Sequence, residues 1–177
     1  MLYGNPNLTG VERTFDANEI IVTKTDLTGK ITYGNNTFYK MAGCTEKDAL
    51  GVQHNLIRHP EMPRAVFKLL WDTLAAGQEI FAYVNNRSLN GDNYWVLAHV
   101  TPSFDVSGNI ISYHSSRRKP DRRLIDEKIV PLYKDLLAIE KAAASPKEGM
   151  NEAVNTVVKL LEDSKMNFNQ LMFSLGM

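Results

Sequence analysis

Three strand-like runs, 79–87, 94–102 and 110–117, follow one another with only short turns between them, and this pattern limits the fold of the 177-residue chain more than any other. Asn90-Gly91-Asp92 and the segment 105–109 supply the hairpin turns. Upstream, Ile20 to Lys24 and Lys30 to Tyr33 flank a turn over 26–29 and predict another hairpin. Between the two strand groups lie short helical pieces, 36–41 and 46–50, separated by Gly43 and closed by Gly51, with Thr45 and Asp48 in a capping arrangement. Val66, Phe67, Leu70, Trp71 and Leu74 then recur at helical spacing over 65–74, with Pro63 expected at the first helical position and 54–63 as a structured loop before it. The order predicts an α+β fold: a five-stranded antiparallel sheet with short helices on one face.

The flanks differ in character. Residues 1–17 are polar and turn-rich and read as a loose N-terminal cap, 18–119 as the main domain, and 120–177 as a helical tail. In the tail, Ile125, Ile129, Leu132, Tyr133, Leu136 and Leu137 form one apolar stripe, which Pro131 should bend or restart. Ser145-Pro146-Lys147-Glu148 reads as a capping box opening a second helix that carries Val154, Val157, Val158 and Leu161. Such stripes fit either a fold-back onto the domain, a homodimer, or a surface that seeks a partner.

Twenty basic residues balance twenty acidic ones, so no net field draws the chain to nucleic acid or to anionic lipid. The single cysteine, Cys44, allows no internal disulfide, and no apolar run reaches the ~18 residues of a membrane span. The expected location is the cytoplasm, with no direct membrane insertion and any placement at the inner membrane supplied by a partner.

The most specific string is His54-Asn55-Leu56-Ile57-Arg58-His59-Pro60-Glu61-Met62-Pro63, followed by Phe67 and Trp71, then Asn86-Arg87, Asn90-Gly91-Asp92 and Tyr94-Trp95-Val96. With these residues the stretch 31–119 resembles the FAD-binding PAS domains of bacterial aerotaxis receptors of the Aer type. In length and in lacking an anchor the chain is similar to the soluble, CetB-type half of two-part energy-taxis systems, whose other half is a membrane receptor. The resemblance implies a PAS fold, FAD as cofactor, and Asn35, Arg58, His59, Phe67 and Asn86 as matching cofactor-site positions, with His54, Glu61 and Trp71 added as candidates. The family often has aspartate where this chain has Glu61, and a tryptophan where it has Ile80 followed by Phe81.

The side-chain chemistry has two readings at each position. A flavin dinucleotide brings a pyrophosphate that needs a fixed cation, and Arg58 has the bidentate fork for it, or for the flavin itself; alternatively it pairs with Glu61 to brace the loop. His59 suits protonation control of a reduced ring, and equally a loop-bracing role; His54 is divided between site and backbone support. Asn35 and Asn86 can read ring edges, although asparagine near strand ends is usually a turn residue. Phe67, Trp71 and Trp95 fit the core, with Phe67 alone having a resemblance-based reason to touch flavin. Cys44 lies in a tight turn, away from where a photochemical adduct would need a thiol.

No glycine-rich dinucleotide loop, phosphate loop or nucleophile elbow occurs, so catalysis is not expected. The resemblance implies a redox sensor for energy taxis or aerotaxis that signals to a separate membrane-anchored, chemoreceptor-like protein. Two other classes stay open: a haem gas sensor using His54, His59, His99 or His114 as axial ligand, and a cofactor-free interaction module.

Overall fold

The computed structural model describes residues 6–176. Its centre is an antiparallel sheet of five strands, β1 (Ile21–Thr25), β2 (Ile31–Gly34), β3 (Ile80–Arg87), β4 (Asn93–Phe104) and β5 (Ile110–Arg118), in the order β2-β1-β5-β4-β3. The long runs pair as expected, Val84 opposite Val96 and Val100 opposite Ser115. β1 and β5 close the gap between the two hairpins, with Thr23 opposite Ser115 and Ile21 opposite Arg117.

Between β2 and β3 run α1 (Asn36–Ala42), α2 (Glu46–Ala49), a 3-10 turn (His54–Ile57) and α3 (Arg64–Ala75). The Asn35 side chain caps α1, and Thr45 with Asp48 forms a reciprocal capping box on α2. Gly43 ends α1 in the left-handed region at φ 67°, which glycine adopts without a Cβ penalty. Pro63 is not the first helical residue: at ψ 137° it is extended and stands as the N-cap of α3, where its side chain offers no acceptor. The core joins Ile21, Ile31, Phe38, Met41, Leu56, Ile57, Leu74, Tyr94 and Val96, all essentially buried.

The N-terminal segment is not loose over its described part. Thr9 donates to the carbonyl of Gly91, Asn93 to that of Val11 and Arg13 to that of Asn93, so the segment lies along the start of β4. Phe15 is buried beneath it, and the Arg13 guanidinium reaches the Met41 carbonyl at 3.0 Å. The polar composition concealed this because the strap uses its backbone, not an apolar stripe.

The tail forms α4 (Arg122–Leu124), a π-helical turn (Ile125–Ile129), α5 (Val130–Ala142), α6 (Pro146–Ser164) and α7 (Phe168–Ser174). The helix runs through Pro131 without a break: proline has no N–H to donate, and the turn before it widens so that the Val130 N–H reaches the Ile125 carbonyl. Ser145 accepts from the Glu148 N–H with Pro146 in the first turn. Of the three uses left open for the tail, the structure shows the fold-back. It runs along the free edge of β3, where Asn169 accepts from the Phe81 N–H at 2.8 Å and the Tyr133 hydroxyl donates to the Tyr83 carbonyl at 2.6 Å. Leu124, Ile125, Ile129, Tyr133, Leu136, Val157, Leu171 and Met172 are buried in this contact. A sheet edge that would otherwise present open backbone groups is thereby closed. Where α5 meets α6 the backbones nearly touch, and a Cβ at Gly149 would lie 2.3 Å from the Glu140 carbonyl oxygen.

Candidate functional site

Strand alternation sends Thr23 and Thr25 of β1, Val84 and Asn86 of β3, Ala98 and Val100 of β4, and Ser115 and Arg117 of β5 to the helix-facing side of the sheet. There they enclose a cavity of about 350 Å³, closed on the other side by His54, Ile57, Arg58, Phe67, Leu70, Trp71 and Leu74. This is the size range of small-molecule sites, and the wall has their usual make-up of apolar surface with a few polar groups.

Those polar groups are incompletely satisfied. Among the described residues, Thr25 Oγ1, Asn86 Nδ2, Ser115 Oγ and Arg117 Nη1 are buried side-chain atoms with no hydrogen-bond partner, and all four belong to residues of the cavity wall. Buried polar atoms are paired in the great majority of cases, and leaving one unpaired costs about 1–3 kcal/mol. Four on one cavity wall give that wall free polar atoms with which a polar ligand could pair.

Arg117 is the deepest of them, 3% exposed. Its Nη2 donates to the Thr23 hydroxyl at 2.5 Å and to His54 Nε2 at 2.6 Å. A guanidinium only donates, so the His54 nitrogen that receives it is unprotonated and the ring is the neutral Nδ1–H tautomer. Burial, reinforced by the Arg117 charge, drives the His54 pKa down to about 3. Burial also draws Arg117 down, to about 10, which leaves it a cation at neutral pH.

Arg58 stands nearer the surface, its guanidinium 4.7 Å above the Phe67 ring and donating to the Met62 carbonyl at 3.4 Å. Burial lowers its pKa, with Arg64 adding to the effect. Among the described residues it makes no ion pair with Glu61, so the loop-bracing alternative does not hold in that form. Trp71 is not core: it is 40% exposed and meets Tyr113 edge-on at 5.6 Å on the cavity wall. Trp95 faces away from the cavity and packs on Tyr133 of the tail.

Of the eight candidates, the structure thus brings His54, Arg58, Phe67, Trp71 and Asn86 to one cavity. Asn35 is elsewhere. Its Oδ1 accepts from the N–H groups of Val22 and Phe38, and its Nδ2 donates to the Ile20 carbonyl, so its amide is spent on holding β1 to α1. His59 is buried off the cavity, its Nδ1 accepting from the Glu61 N–H at 3.2 Å. Burial lowers its pKa, against a weaker opposing effect of Glu61. Glu61 belongs to a second hollow beneath the tail, with Trp95, Tyr133 and Lys141. Glu61 therefore turns outward toward the tail, in the turn closed by the Met62 N–H on the His59 carbonyl, while Met62 and Pro63 stay buried.

Arg117, Thr25 and Ser115 were missed by the sequence reading. The pleat buries Arg117 and exposes Arg118 beside it, and Lys119 lies exposed beyond the end of the strand. The available signal was period-two: Tyr113, Ser115 and Arg117 share the face that should carry core residues, and three polar side chains there are anomalous for a packed sheet.

Residues 31–117 match the model of a family described as PAS fold. The aerotaxis receptor of Escherichia coli (strain K12) is 41% identical over 121 residues, covering 67% of this chain and 23% of that protein. The nitrogen fixation regulatory protein of Klebsiella pneumoniae is 25% identical over 99 residues, 56% of this chain and 20% of that protein. The chain therefore spans about a quarter or less of the length of these relatives. Among solved structures, the dark state of the blue-light photoreceptor Aureochrome1 LOV superposes with a TM-score of 0.56 at 23% identity, over 65% of this chain and 86% of that one. A light-oxygen-voltage domain studied with a flavin analogue gives 0.58 at 16% identity, over 65% and 87%.

Proposed function

Given that residues 31–117 are a PAS domain related to that of an aerotaxis receptor, we propose that the chain is a non-catalytic redox sensor that holds FAD in the cavity between sheet and α3 and reports to a membrane-anchored, chemoreceptor-like partner from the cytoplasm. One observation carries the reading: a mostly apolar slot whose buried donors, Asn86 Nδ2 and Arg117 Nη1, have no partner in the protein. A flat heteroaromatic ring with acceptor edges satisfies both kinds of surface at once. The similarity to proteins whose names refer to aerotaxis and to light-oxygen-voltage sensing supports a flavin over other rings.

The residues divide the work by position. Asn86 and Arg117 offer donors from the sheet, Ser115 and Thr25 offer hydroxyls that donate or accept, and Leu70, Leu74, Val84, Ala98 and Val100 exclude water. Arg58 and Trp71, nearer the surface, suit the phosphate-bearing part of a dinucleotide. When bound, the flavin would supply reversible electron uptake, with a change of ring charge and protonation.

The route outward passes through α3. This helix has no cap of its own, and the Glu140 carboxylate of α5 accepts the Ala65 N–H at 2.9 Å in its place. One end of α3 is thus held by the tail while Phe67, Leu70, Trp71 and Leu74 face the cavity. A change in how the wall packs on its ligand changes the strength of tail docking, and the coupling is reciprocal. A complete switch from about 1:99 to 99:1 needs about 5.5 kcal/mol, or on the order of 120 mV for a two-electron couple.

An absorbance spectrum of the purified chain, with chromatography of the released cofactor, tests the reading. Two flavin bands and released FAD are expected. A Soret band would replace it with the haem reading, and a folded, colourless protein that takes up no added flavin would leave the interaction module.

A further inference from the structure

The charges around the cavity are one-sided. Arg58 and Arg117 stand in its wall, and among the described residues no aspartate or glutamate does. The hydrogen-bond partners of the Arg117 guanidinium are a threonine hydroxyl and a neutral imidazole, and it enters no salt bridge among the described residues. The titratable groups near it from the surrounding elements are His54 of the 3-10 turn, Tyr94 of β4, Tyr113 and His114 of β5, and Arg58 before α3. None of these is a carboxylate, and burial pushes the Tyr94 hydroxyl further from ionising and lowers the His114 pKa. Buried charges are paired as a rule, because an uncompensated one is strongly unfavourable in a poorly polarisable interior.

The counter-charge must then come with the ligand. On the footing of the flavin reading, we propose that Arg117 is the fixed counter-charge for the anion created when the bound flavin is reduced, so that the site prefers the reduced, singly negative ring over the neutral oxidised one. Reduction adds two electrons from a reduced carrier and takes up one proton, which leaves one negative charge on the ring. Nη1, already held in position through the bonds of Nη2 to Thr23 and His54, is the donor for that charge. The neutral His54 completes the arrangement, since it accepts from Arg117 without cancelling its charge. Arg117 is also the last residue but one of β5, four residues before Asp121, the N-cap of α4, so the residue that meets the new charge adjoins the segment that carries the output.

The experiment is an anaerobic titration of the full chain with oxidised and with dithionite-reduced FAD, for wild type, Arg117→Met and Arg117→Lys. Methionine fills similar space without charge. Arg117→Met should weaken reduced-FAD binding at least about tenfold more than oxidised-FAD binding, which lowers the bound midpoint by about 30 mV. Arg117→Lys should recover most of the difference. Equal losses for both forms, or none, overturn the proposal and leave Arg117 a plain anchor.

A measurement on the wild type alone serves if the variants do not fold. With a fixed cation holding the ring anionic, one proton accompanies two electrons, so the midpoint should fall by about 30 mV per pH unit down to mildly acid pH. A slope of about 60 mV per unit, two protons for two electrons, overturns the proposal. A wild-type chain that binds neither form of flavin instead removes the reading on which it rests.

Discussion

β3 has two sides that solve the same problem in opposite ways. Along its free edge, backbone groups of Phe81 and Tyr83 are met by Asn169 and Tyr133 of the tail, and apolar side chains bury around them. On its cavity side, Asn86 keeps a buried amide nitrogen without a partner, alongside Arg117, Thr25 and Ser115. One region spends its polar groups on the fold; the other withholds them. Stability should therefore reside in the tail contact, and ligand response in the cavity.

The largest effect should follow from cutting into the tail contact. Ile125 is fully buried in the π-helical turn, so Ile125→Ala should cost about 2–5 kcal/mol in a urea titration of the full chain. Trp71→Ala, on the cavity wall, should change ligand-free stability by no more than about 0.5–1 kcal/mol while weakening flavin binding. Equal stability losses at the two positions would erase the distinction between the regions.

Next comes a pH effect centred on the cavity. The folded-state pKa of His54 is about 3, below its ordinary 6.5, so the unfolded chain binds the extra proton first. Stability is thus complete above about pH 6.5 and declines as pH falls from there toward 3. Part of the His54 surface lies on the cavity wall, where water tempers the effect, and the loss between pH 7 and 5 should be about 1–2 kcal/mol. His59 and His114, also lowered, contribute with the same sign. His54→Gln, whose side-chain oxygen can still accept from Arg117, should flatten the profile over that range. An unchanged slope would show that this ring is not the source of the pH dependence.

The contrast also explains what was legible in the sequence. The hairpins and the five antiparallel strands followed from turn positions, and most of the cavity from residues such as Phe67 and Asn86, because these depend on local pattern and on a distinctive string. The tail's apolar stripes were visible too, but a stripe does not say what covers it, and only the three-dimensional edge of β3 answers that. Arg117 was lost for a different reason: in Arg117-Arg118-Lys119 the chain places one buried cation beside two exposed ones, and composition averages over the pleat that separates them. His59 and Glu61 stand close to Arg58 in the string yet leave the cavity: His59 because it follows Arg58 on extended backbone, where neighbours point to opposite sides, and Glu61 because it lies in the turn after Pro60.

The smallest expected effect lies where the two regions meet. Glu140→Ala removes the acceptor that the tail lends to the first turn of α3, and loss of such a cap costs about 1 kcal/mol. The informative quantity is where that loss appears. Hydrogen exchange should quicken at Ala65 and Val66, at the start of the cavity wall, while the Phe81 N–H held by Asn169 keeps its protection. Flavin should then dissociate severalfold faster, since the wall that holds it has lost its outer support. Faster exchange with no change in flavin release would mean that α3 frays without moving the cavity, and that the path from ligand to tail runs through β5 and Arg117.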